Sequence, residues 1–133
     1  MRCIRTSDRD RGAAAVEFAL VLPVLVLMLL GLIEFSILFN TQISLTNAAR
    51  EGARSMAIHH DQAVAKTAAI AAAPSIINPA VTTGNVNVGI SPAPPCASGK
   101  TVRVTITYPA PLLTGFFGVT LPLTGKGVML CGG

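Results

Sequence analysis

The chain has 133 residues, of which 51% are hydrophobic and 12% charged, with a net charge of +4 and a mean hydropathy of +0.62. That is too apolar for an ordinary soluble domain. Aromatic residues amount to 5% with no Trp, and no basic stripe is interleaved with aromatics, which argues against nucleic-acid binding.

In chain order, residues 1–12 are a basic leader with Arg2, Arg5, Arg9 and Arg11 beside Asp8 and Asp10. From Phe18 to Ile33 there is no charge, and the apolar run continues to Phe39 with Glu34 and Ser36 as interruptions. A bilayer core about 30 Å thick needs roughly 20 residues of helix. Residues 13–39 therefore read as a transmembrane helix, in which Pro23 and Gly31 are tolerated. The rest of the chain is too small to wrap such a helix as a core element. The arginine cluster belongs on the cytoplasmic side, which puts the N-terminus in and the C-terminal part out. An ordinary removable signal peptide does not fit. The apolar stretch is too long, and LGLIEFS places Glu34 where small cleavage-site residues are needed.

Glu17 stands inside that apolar surrounding. A carboxylate near the middle of a membrane helix costs roughly 2.5 kcal/mol or more, so such a residue usually has a partner. Read by itself, Glu17 would snorkel to the interface one turn away. A cut between Gly12 and Ala13 would instead make Glu17 the fifth residue of a new chain, followed by Phe18. The set of basic leader, Gly12, Ala13, Glu17, Phe18 and apolar span resembles the type IV prepilin pattern. That resemblance implies cleavage after Gly12 by a prepilin-type leader peptidase. It also implies that Glu17 neutralises the free amine of a neighbouring subunit.

More of the chain narrows the family. The opening RGAAAVEFALVLP, the segment LLGLIEF and the stretch NAAREGAR, spread over about residues 11 to 58, resemble the TadE-like pseudopilins of tight-adherence (Flp) pilus systems. Further on, VRVTITYPAPLL resembles the family's strand and Tyr-Pro turn. The resemblance implies a non-enzymatic, minor pilin-like subunit of the bacterial inner membrane, with no cofactor. Its implied partners are other pilus-like subunits and inner-membrane assembly proteins, beside the lipid bilayer and the leader peptidase. The alternative is an uncleaved single-span anchor with a small outer interaction domain.

Residues 40–73 stay helix-compatible and are expected to continue as a stalk. Leu45, Ala49, Ala53, Met56, His60 and Val64 recur at helical intervals as one mildly apolar face. Arg50 and Arg54 share the other side. A kink is expected near 58–61, with Asp61 capping a second helix through Ala73, and Pro74 ends helical structure. His59, His60 and Asp61 make a poor metal fragment: adjacent histidines point apart and no third ligand is near. Glu34 reads as an interface carboxylate at the outer end of the span.

Residues 74–133 change character to Val, Thr, Pro and Gly. Val86, Val88 and Ile90, then Val102, Val104, Ile106 and Tyr108, alternate as half-buried strands. They should pair antiparallel across the proline-rich loop from Ser91 to Gly99, with a third strand from Gly125 to Cys131. The expected class is α+β: a long transmembrane helix running into a stalk, a second short helix, and a small three-stranded antiparallel sheet lying on that second helix, which is pilin-like. The apolar Leu112–Val119 stretch either folds back under the sheet or meets another subunit or the membrane surface.

Cys3 lies in the cytoplasmic leader, where thiols stay reduced. Cys96 and Cys131 lie outside and leave an even pair. A bridge between them would close a loop worth about 3–4 kcal/mol; otherwise both are free thiols. No nucleophile has a base beside it, no glycine loop cradles phosphate, and no ligand cluster exists, which argues against an enzyme.

Overall fold

The computed structural model describes residues 7–74, 79–112 and 119–132. Cys3 and most of the basic leader lie outside the described residues, as does the apolar stretch between Leu112 and Val119. The fold is α+β. A long N-terminal helix, α1 (Ser7–His59), precedes a short one, α2 (Gln62–Ala72). Three strands follow: β1 (Val86–Ser91), β2 (Thr101–Pro111) and β3 (Thr120–Leu130). Two compact units divide the chain, Met1–Ser36 and Ile37–Gly133.

In the first unit α1 is built from strong helix formers and runs through Pro23 without ending. Most of its described apolar side chains are exposed. Neighbours that point to different sides, such as Leu27 and Met28, are 69% and 72% exposed. A helix that is apolar all round must bury itself in something. One 18-residue window reaches a mean hydropathy of 2.7, and none of it is buried inside the chain. This is a helix long and apolar enough for single-pass membrane anchoring.

The second unit opens with the last turns of α1. Leu45, Ala48, Ala49, Ala53 and Met56 are buried along one face. Arg50, Glu51 and Arg54 are exposed on the other. The expected apolar face therefore holds for Leu45, Ala49, Ala53 and Met56, but His60 and Val64 do not continue it. The helix ends at His59, and His60 takes a left-handed φ of 57° while its N–H bonds the Met56 carbonyl at 3.0 Å. His59 closes the last turn, with Nδ1 3.1 Å from the Ser55 carbonyl. Asp61 then starts α2, its Oδ1 accepting from the Ala63 N–H at 2.7 Å. Loss of such a cap costs about 1 kcal/mol. Asp61→Ala should lower the unfolding free energy of this unit by that amount in a urea titration in detergent, and Asp61→Asn by much less.

The sheet has the order β1-β2-β3, antiparallel throughout. Burial alternates along β2, with Val102, Val104, Ile106, Tyr108 and Ala110 turned to the core and Arg103, Thr107 and Pro109 exposed. Burial pushes the Tyr108 phenol above its ordinary 10.0. The helices cover one face only. The other face carries Asn87, Arg103, Thr105, Lys126 and Val128 in register, the pattern of an antiparallel sheet with one solvated side.

The sheet was expected on the second helix, and α2 does lie against β1. The closer contact is β3 on α1. A Cβ on Gly125 would overlap the Leu45 carbonyl, and one on Gly127 would overlap that of Ala49. Strand backbone thus lies directly on helix backbone, which only glycine permits. Gln42 fastens the approach, Nε2 donating to the Thr124 carbonyl at 2.8 Å. On the α2 side, a Cβ on Gly52 would stand 2.8 Å from the Ala69 Cβ.

β3 begins five residues before the expected Gly125. Two prolines hid that extension, yet Pro109 and Pro122 stand directly opposite one another. Neither can donate to a ladder, so this pair must occupy a non-hydrogen-bonded site. β1 reaches only as far as Ile106 along β2, so Pro109 lies where β2 has no second partner to satisfy.

Candidate functional site

Gly12, Ala13, Glu17 and Phe18 all lie on α1 and are all exposed, Phe18 at 66%. Ala13 and Glu17 are four residues apart and share one helix face. No neighbouring atom would come within 4 Å of a Cβ on Gly12. A glycine there also weakens the helix by about 1 kcal/mol relative to alanine. The Gly12–Ala13 peptide is thus open to approach and among the cheaper ones to unwind. Glu34, further along, is half-buried with its Oε1 shielded from solvent.

The NAAREGAR stretch, residues 47–54, divides into two sets by burial. Ala48, Ala49, Gly52 and Ala53 are buried and let β3 and α2 approach the helix closely. Arg50, Glu51 and Arg54 are exposed, and the Arg54 guanidinium lies 3.9 Å from Glu51. A pair so open to water contributes little stability. Arg54 and Ile58 line two open grooves, one toward α2 and one toward the end of β3 at Val128–Leu130. In the groove toward α2, the Ser55 Oγ lies 3.5 Å from the His59 Nδ1. Among the described residues no group of three or more His, Cys, Asp or Glu gathers as a metal site.

These observations describe a helix apolar enough for a membrane along its earlier turns, with a small sheet packed on its last turns through a run of tiny residues. Residues 12–54 match the family model of the TadE-like proteins. The TadE-like segment covers about a third of the chain. It begins at Gly12, takes in the whole apolar run, and ends at Arg54 on the last turns that hold the sheet. Searches of the curated proteins and of the solved structures found no match. The TadE-like segment and its apolar helix support a pilus-associated membrane protein.

Cys96 and Cys131 are joined by a disulfide, with their Cα atoms 5.5 Å apart. Both are buried in the core of the second unit. The bridge ties the proline-rich loop to the end of β3, where the Cys131 N–H also donates to the Lys100 carbonyl at 2.8 Å. Lys100 adds a clamp of its own, Nζ donating to the carbonyls of Ala93 and Pro95 at 2.8 and 3.1 Å. Sequence reasoning missed Gln42, Lys100 and the paired glycines. For Gly125 and Gly127 a signal was present: glycine inside a strand marks a close backbone approach.

Proposed function

We propose that the chain is a non-enzymatic minor pilin-like subunit of a tight-adherence pilus system. It is anchored in the bacterial inner membrane by α1, with the leader in the cytoplasm and the sheet unit outside. The observation that carries this reading is the order of four features within the TadE-like segment: Gly12 with open surroundings, Glu17 five residues on, Phe18, and an apolar 18-residue window of which none is buried among the described residues. A leader peptidase would cut after Gly12. The amine freed at Ala13, with an ordinary pKa near 8, is mostly charged at neutral pH. Beside a Glu17 carboxylate in a low-dielectric setting, each charge offsets the other's desolvation cost. Supplied by a neighbouring subunit, that pairing sets axial register. The uncovered apolar surface of α1 would then pack on the helices of other pilus-like subunits during assembly.

Glu17→Ala removes the pairing and leaves the span more apolar. The variant should insert, lose its leader and form the Cys96–Cys131 bond as the parent does, yet co-purify poorly with the other pilus-like subunits. Co-purification at the parental level would count against an assembly role for Glu17 and favour a plain membrane anchor with an outer interaction domain.

A further inference from the structure

We propose that the connecting end of the β2–β3 hairpin, at Pro109–Leu112 and Val119–Pro122, rests in the headgroup layer of the bilayer that α1 crosses. The inference depends on α1 being a membrane span. It follows from how β3 runs along the helix within the second unit.

Gln42 holds Thr124, Leu45 meets Gly125, and Ala49 meets Gly127. Two residues of strand rise about 6.8 Å, and the four helical residues from Leu45 to Ala49 rise about 6 Å. The strand and helix therefore advance side by side at nearly the same rate. Four strand residues back from Gly125, Leu121 comes level with Ile37, eight helical residues back from Leu45. Leu123 and Leu38, which both pack on the core, fit that alignment. Ile37 and Phe39 are the last residues of the apolar run. They remain 46% and 58% exposed in the folded chain, an apolar surface that lipid would accept. The hairpin end stands at the same level.

Its chemistry suits that level. From Val104 to Gly125 the sequence contains no Asp, Glu, Lys, Arg or His. Val119 and Leu121 are 55% and 44% exposed. The nearest charges on the hairpin, Arg103 and Lys126, begin at its far end; Lys126 is about 17 Å along the strand from Leu121. This segregation along the strands, uncharged at one end of the hairpin and basic beyond Gly125, is that of a surface resting on a bilayer. Apolar groups at such a surface settle roughly 5–10 Å into the boundary between headgroups and acyl chains. The hairpin goes no deeper, because an open strand edge in hydrocarbon would leave backbone groups unsatisfied. A second copy of this chain is a poorer occupant, since it gives no reason for the charge-free end to coincide with the end of the apolar run.

The chain contains no Trp, so single-Trp variants report position without background. The full chain is reconstituted in phosphatidylethanolamine–phosphatidylglycerol vesicles, with or without lipids brominated near the top of the acyl chain. Leu30→Trp reports on the span, Leu121→Trp on the hairpin, and Val128→Trp on the far end of β3. Val119→Trp, outside β3, keeps the test decisive if Leu121→Trp disturbs the strand. Brominated lipid should dim Leu121→Trp or Val119→Trp roughly twofold, as groups seated at the acyl boundary. Val128→Trp should be unaffected by it and be quenched by aqueous iodide. If Leu30→Trp is quenched by lipid while both hairpin reporters behave like Val128→Trp, the hairpin does not touch lipid and the proposal is wrong. Hairpin reporters shielded from both quenchers indicate a protein contact and also overturn it. If Leu30→Trp escapes lipid, the span itself has failed and the proposal falls with it.

Discussion

Gly127→Val should all but abolish folding of the sheet unit while leaving the apolar helix intact. Any side chain at Gly127 would occupy the space of the Ala49 carbonyl on α1. Backbone on both sides leaves no flexible group to move aside, so β3 must lift from the helix. Forced overpacking of this kind costs about 3 kcal/mol or more. A unit of this size has roughly 5–15 kcal/mol in total. Lifting β3 also breaks the Gln42–Thr124 bond and exposes the alanines beneath, so the cost falls on the whole interface. Gly89→Val is the control. Gly89 lies on the solvated face of β1, where a Cβ would meet only the Arg103 carbonyl at 3.8 Å, an ordinary contact. Urea titration in detergent, followed by circular dichroism, should separate the two. Gly127→Val should lack a cooperative β transition, whereas Gly89→Val should stay within about 0.5 kcal/mol of the parent. Equal effects would mean that β3 does not lie on α1.

Removing the Cys96–Cys131 bridge should cost about 3–4 kcal/mol on the chain-entropy account, for a loop spanning 35 residues. A loss of that size weighs heavily here because the helical side of the core is mostly alanine, and alanine contributes little apolar area per residue. Replacing both cysteines by alanine avoids leaving a lone buried thiol or hydroxyl. The double variant should unfold at lower urea than the parent, and a reductant should bring the parent close to it. Membrane insertion, which the proposed span at residues 13–39 would provide, should not change. A double variant as stable as the parent would show that loop and strand end are held by Lys100 and packing alone.

The alternation of Val102, Val104, Ile106 and Tyr108 with Arg103 and Thr107 revealed the faces of β2 because a sheet covered on one side has period two. The span was legible because lipid demands an unbroken apolar run. The end of α1 was legible near His59–Asp61 because a capping Asp follows the last helical turn. What escaped was tertiary. Within the helical stretch read as residues 40–73, the close packing was not foreseen; the weak apolar face was the clue, since Ala48, Ala49, Gly52 and Ala53 are small so that backbone can come close. The first half of β3 was hidden by Pro122, which costs nothing at a non-hydrogen-bonded position of an edge strand. The proposed roles of Gly12 and Glu17 rest on their order in the chain. Folding adds openness at Gly12 and a shared face for Ala13 and Glu17, but an isolated subunit gives the carboxylate no assembly partner to meet.

The central claim is that a pilin-like subunit is made by a cut between Gly12 and Ala13. N-terminal sequencing of the protein extracted from membranes of cells that carry the pilus-assembly proteins tests it most directly. The account predicts a chain beginning Ala13-Ala14-Ala15-Val16-Glu17, and a shift back to the longer form when Gly12 is replaced by a bulky residue. A membrane-extracted protein that keeps residues 1–12 would contradict the account.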